Sequence, residues 1–95
     1  MLSHYYTVKE YGEHEISIQK SRFIAYINRA TTVEEAETFI QDIKKKHWNA
    51  THNCSAYLIG ENDQFQKAND DGEPSGTAGV PMLEVLKKKG LKDTV

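Results

Sequence analysis

Apolar and polar residues alternate with a period of two through the first third of the chain. Tyr5–Glu10 and Glu13–Gln19 flank Tyr11-Gly12, and Ile16 and Ile18 fall on the same side of the second stretch, the pattern of half-buried strands joined as a hairpin. Ser21–Arg29 continues the pattern as an antiparallel meander. Phe23, Ala25 and Ile27 form its apolar face, with Arg22, Ile24, Tyr26 and Asn28 opposite. The period then changes. Val33, Ala36, Ile40, Ile43 and His47 recur at steps of three and four, with Phe39 beside them, which predicts a helix that buries one face. Thr32 and Glu35 have capping-box spacing at its start. Glu34, Glu35 and Glu37 near one end and Lys44, Lys45 and Lys46 near the other suit the helix macrodipole, so the lysine run reads as a solvated helix end rather than a binding patch.

Thr51–Ile59 restores the alternation, with Cys54, Ala56 and Leu58 on one side and Asn53, Ser55 and Tyr57 on the other. Gly60-Glu61-Asn62-Asp63 supplies a turn and Gln64–Ala68 a short partner strand. A second helix is predicted from Thr77 or Gly79 to Lys89, burying Val85 and Leu86 and ended by Gly90. Leu91–Val95 reads as the entry to a further strand that stops short, so the expectation is a domain truncated before its last strand or strands. These elements together predict a mainly antiparallel set of strands and two helices.

The 95 residues are enough for one domain with one core. An apolar content of 38% and a charged fraction of 27%, mixed in sign, fit a folded chain rather than a disordered one. The net charge of −2 gives no global attraction to nucleic acid or to an acidic membrane, so any such contact has to be local. A single cysteine, Cys54, excludes an internal disulfide and points to a reducing, cytoplasmic setting. No apolar run approaches the roughly 20 residues needed to span a bilayer, and the start lacks the apolar core of a secretory signal.

Candidate chemistry concentrates in one loop. Residues 70–81, DDGEPSGTAGVP, hold Asp70, Asp71, Glu73, three of the six glycines (Gly72, Gly76, Gly79) and both prolines (Pro74, Pro81), directly before the second predicted helix. Such a composition specifies an unusual backbone path, because glycine admits positive φ and proline fixes φ near a first helical turn. Two readings stand. In one, the free N–H groups of Gly76, Thr77, Ala78 and Gly79 cradle a phosphate or carboxylate. In the other, the acidic residues cap the helix and order the loop.

Established motifs do not fit this loop. The glycines lack dinucleotide-fold spacing, and no Lys-Ser/Thr pair closes a phosphate loop. Ser75 sits outside a nucleophile-elbow pattern and reads as a turn residue. His52 and Cys54 share a strand face, but a lone thiol beside Ala56 and Leu58 reads as a small apolar residue. No catalytic set, metal set or cofactor is predicted. The opposite sheet face gathers Arg22, Tyr26, Asn53, Ser55 and Tyr57, a cation, aromatic rings and hydrogen-bonding groups of the kind that contact RNA.

The runs Lys20–Ala25 (KSRFIA), Ala50–Tyr57 (ATHNCSAY) and Asp70–Pro81 resemble the N-terminal domain of the IMPACT/YigZ family over nearly the whole chain. The resemblance implies an α+β fold, a mainly antiparallel sheet with two helices on one face, similar to the second domain of ribosomal protein S-five and to domain IV of elongation factor G. In bacterial members a smaller ferredoxin-like domain follows, and it is absent from residues 1–95. Eukaryotic relatives are linked to control of translation initiation. What the resemblance implies for this chain is a translation-related binding module whose partner is RNA, the ribosome or a translation factor. Its contact surface would comprise Arg22, Tyr26, His52, Asn53, Ser55, Tyr57, Asp70, Asp71, Gly72, Glu73, Pro74, Ser75, Gly76, Thr77 and Gly79. The alternative is a metal-assisted hydrolase or phosphotransfer enzyme in which Asp70, Asp71 and Glu73 hold a divalent ion. No membrane partner is expected, and no oligomeric state is specified.

Overall fold

A computed structural model describes residues 11–18 and 21–95 of the chain. Its elements are β1 (Gly12–Ile18), β2 (Ser21–Ile27), α1 (Val33–Lys46), β3 (Ser55–Ile59), β4 (Phe65–Asn69) and α2 (Gly79–Lys88). β1 and β2 form one antiparallel ladder, with Gly12 opposite Ile27 and Ile18 opposite Ser21. β3 and β4 form a second, with Ser55 opposite Asn69 and Ile59 opposite Phe65. The architecture is α+β. The strand expected over Tyr5–Glu10 lies outside the described residues, and the hairpin that is described pairs β1 with β2.

α1 starts where the pattern placed it. The Thr32 hydroxyl accepts the Glu35 N–H at 3.1 Å, while the Glu35 carboxylate receives the Thr31 hydroxyl at 2.7 Å. Ala36 and Ile40 are buried, and Val33 and Phe39 pack beside them. α2 ends in a complete Schellman motif. Gly90 takes φ +66°, its N–H bonds to Lys87 O, and Leu91 N–H reaches back to Leu86 O, both at 3.0 Å. Leu83 and Leu86 are its buried apolar residues, whereas Val85 turns outward, exposed. Residues three apart share a helix face, so burial of Leu83 and Leu86 rotates Val85 away.

β3 is the centre of the core. Ala56 and Leu58 pack against Leu83 and Leu86 of α2, whereas Tyr57 and Ile59 pack against Ala36 and Ile40 of α1. Successive strand residues point to opposite faces, so the two helices cover opposite faces of β3 rather than one. This also corrects the expected polar face. Tyr57 is only 7% exposed, because the side of β3 that carries Ser55 and Tyr57 lies under α1 instead of facing solvent. On the β1–β2 ribbon, Ile27 reaches the α2 side of the core, while Phe23 is 54% exposed and no described element covers it.

The two ladders are joined by the segment Asp93–Val95. Thr94 bridges both Arg29 and Leu58, exchanging N–H···O bonds with Leu58 in each direction, at 2.9 and 3.1 Å. Asn28 and Val95 exchange a further pair at 2.9 Å, and Ala30 N–H donates to Asp93 O. The expected strand entry is therefore a buried central element. Among the described residues no helix is long and apolar enough to cross a membrane.

Candidate functional site

The loop between β4 and α2 folds around the Asp70 carboxylate. One oxygen accepts the N–H groups of Ala78 (3.1 Å) and Gly79 (2.7 Å), and the other accepts the Gly76 N–H at 2.8 Å. The bonds from Gly76 and Gly79 hold the Asp70 carboxyl below its ordinary pKa. Three of the four amides expected to receive an anion, those of Gly76, Ala78 and Gly79, do receive one, and it is the chain's own; the Thr77 N–H is turned to Pro74 O. Three further features keep this geometry. Gly76 takes φ +79° and Gly72 φ +89°, conformations that other L-residues enter only with strain. Gly79 packs so closely on β4 that an added Cβ would lie 2.5 Å from Asn69 N. Thr77 is fixed by its N–H and its hydroxyl, both donating to Pro74 O.

The stretch before β3 docks on the same loop. Asn53 N–H donates to the Asp71 carboxylate at 2.6 Å, and Cys54 Sγ donates to Asp70 O at 3.2 Å. His52 Nδ1 lies 2.7 Å from Asp71 O; a carbonyl only accepts, so this nitrogen carries the proton. Its other ring nitrogen lies 3.7 Å from Glu73 Oε1. Thr51–Cys54 does not continue the strand as the alternation predicted, because these groups bond to the loop, and β3 begins at Ser55. Burial, reinforced by the charges of Glu73, Asp71 and Asp70, pushes the Cys54 thiol up. It therefore stays protonated and a poor nucleophile.

Of the residues singled out from sequence, His52, Asn53, Asp70, Asp71, Gly72, Glu73, Gly76 and Gly79 come together here. Pro74, Ser75 and Thr77 form the exposed outer rim, and the Ser75 side chain makes no hydrogen bond among the described residues. Ser55 is half-buried at the first position of β3. Arg22 and Tyr26 do not join the loop. Arg22 forms a two-pronged pair with Glu15 on the ribbon, at 2.7 and 3.1 Å, and the Tyr26 hydroxyl lies 2.6 Å from His47 Nε2. Sequence reasoning missed Asn69, whose side-chain oxygen accepts the Asp71 N–H at 2.8 Å. An Asn directly before Asp-Asp-Gly is the signal that pointed to it. Among the described residues no group of His, Cys, Asp and Glu is arranged to hold a metal ion.

These features define an α+β domain with a closed, internally capped loop ahead of its last helix. Residues 19–95 match the family described as the Impact N-terminal domain, and the chain belongs to that family. It is 76% identical over 94 residues to the IMPACT family member YvyE of Bacillus subtilis (strain 168), which covers 99% of this chain and 43% of the relative. It is 42% identical over 76 residues to the IMPACT family member YigZ of Escherichia coli (strain K12), which covers 78% and 37% respectively. A crystal structure described as that of a hypothetical protein superposes with a TM-score of 0.90 at 34% identity, covering 95% of this chain and 45% of that one. The chain thus spans less than half the length of these relatives.

Proposed function

We propose that this chain is a non-catalytic, translation-related binding module that contacts RNA, the ribosome or a translation factor in the cytoplasm. The observation that carries the reading is the Asp70 carboxylate seated on the amides of Gly76, Ala78 and Gly79. The helix start that would have received a substrate phosphate is filled. An Asp71 oxygen is engaged by Asn53 N–H, and the Cys54 thiol is bonded and protonated. With Asp70 and Asp71 engaged internally, the loop is suited to act through shape. Its outer rim, Gly72, Pro74, Ser75, Gly76 and Thr77, is exposed in large part, as is Arg22 on the ribbon. A metal-assisted hydrolase or phosphotransfer enzyme would instead need those carboxylates free to take a cation.

The test is co-sedimentation with ribosomes and equilibrium binding to single-stranded RNA at increasing salt. The expected result is binding that weakens steadily with ionic strength and is indifferent to a chelator. Magnesium- or manganese-dependent hydrolysis or phosphoryl transfer that disappears in Asp71→Asn would overturn it.

A further inference from the structure

α1 ends in a basic, aromatic corner that the loop does not use. His47 closes the helix with its N–H on Ile43 O at 2.9 Å, and its own carbonyl accepts Ala50 N–H at 3.0 Å and Asn53 Nδ2 at 3.2 Å. Its ring is tied to the Tyr26 hydroxyl at 2.6 Å. The turn after α1 is thus pinned to the ribbon on one side and to the segment before β3 on the other. On that turn Trp48 stands 81% exposed. A large indole held outward on a fixed turn stabilises nothing by burial, and tryptophan is a residue type enriched at interaction surfaces.

The charge around it selects the partner. Lys44, Lys45 and Lys46 close α1, two to four residues before Trp48. The Lys46 ammonium lies 5.2 Å from the centre of the Tyr26 ring. None of the three lysines forms an ion pair among the described residues. The nearest opposing charges along the sequence and across the ribbon are Asp42, one turn back on α1, and Glu13, which is opposite Tyr26 and takes the Tyr11 hydroxyl. A chain of net charge −2 therefore carries a local run of positive charge at the end of α1, shortly before its only tryptophan. The helix macrodipole accounts for the lysines. It does not account for the exposed indole among them.

We propose that Trp48, with Lys44, Lys45 and Lys46, is a stacking site for a base of single-stranded RNA, the lysines neutralising the adjoining phosphates. The proposal deepens the binding reading above and rests on it. Every base has a π-face that an indole can cover, so the contact carries little sequence preference, and its affinity falls with salt.

Because Trp48 is the sole tryptophan of the 95 residues, its fluorescence reports the contact directly. The chain is titrated with a short oligouridylate, with inorganic polyphosphate and with a polyglutamate peptide. Saturable quenching is expected with the oligouridylate alone, with a log–log salt slope between about −1.4 and about −2.1 for two or three neutralised phosphates. By anisotropy of labelled RNA, Trp48→Ala should weaken binding by about 5- to 150-fold, and Trp48→Phe should restore part of it. Replacement of the three lysines by glutamine should flatten the salt slope. The exposed position lets Trp48→Ala keep the wild-type melting curve, which separates lost binding from lost fold. RNA binding undiminished in Trp48→Ala, or quenching by polyglutamate in place of RNA, overturns this site and leaves the binding-module reading intact. Absence of RNA binding together with absence of ribosome association sinks both.

Discussion

Gly79→Ala opposes two physical effects at one position. Alanine is the better helix former by up to about 1 kcal/mol in a helix interior, so propensity alone predicts a more stable protein. The structure predicts the reverse. The new Cβ would lie 2.5 Å from Asn69 N, 2.8 Å from Asn69 C and 2.9 Å from Asn69 O. All three are backbone atoms, which cannot rotate aside as a flexible side chain would. Relief requires α2 and the end of β4 to separate, and that movement also stretches the bond from Gly79 N–H to the Asp70 carboxylate. Overpacking of this sort costs roughly 1–3 kcal/mol and more where backbone has to move. Set against the propensity gain, a net loss of about 2 kcal/mol is expected. For a domain of this size that corresponds to a fall in Tm of roughly 8–16 °C. Thermal melts by circular dichroism and urea unfolding measure it. A Gly79→Ala protein as stable as wild type, or more so, refutes the close-approach argument.

Asp70→Asn should flatten the acid limb of the stability curve. The native Asp70 carboxyl is held below its unfolded value by N–H donors, so its contribution is complete above the unfolded carboxyl pKa of about 3.9 and is lost as pH falls through the lower native value. Urea midpoints collected from neutral pH down to acid should converge for wild type and variant at the acid end; parallel curves contradict the assignment. Tyr57→Ala should cost about 3–5 kcal/mol, the loss typical of a buried aromatic, because Tyr57 packs between β3 and α1. A cost below about 1 kcal/mol, read by urea unfolding, would return Tyr57 to the surface.

Local devices were the legible part of this chain. The start of α1 followed from Thr32 and Glu35, and the end of α2 from Gly90, because caps act within a turn and leave short-range spacings. Alternation located β3, but it states only that the two faces differ and not which of them is covered. Both are covered here, so the side with Ser55 and Tyr57, polar by its pattern, is not a surface. The loop was located from its glycines and prolines, yet its organising contact was not. Asp70 caps α2 through N–H groups six to nine residues further on, a span for which no capping spacing exists. Trp48 escaped for the opposite reason, since nothing in the neighbouring residues says whether an indole is packed or left outside.

The pairing of Thr94 with both Arg29 and Leu58 sets an order of events for a nascent polypeptide. The ribbon, α1 and the β3–β4 hairpin are each made of neighbouring residues and can form as soon as they emerge. The contact that welds them together waits for residues translated after all of them. Until then the backbone groups of Asn28, Ala30 and Leu58 that Asp93–Val95 engages have only water for partners. Joining of the two ladders is therefore a late step, and a block to synthesis just short of Asp93 should leave them unjoined while the contacts of β3 with the two helices can still form.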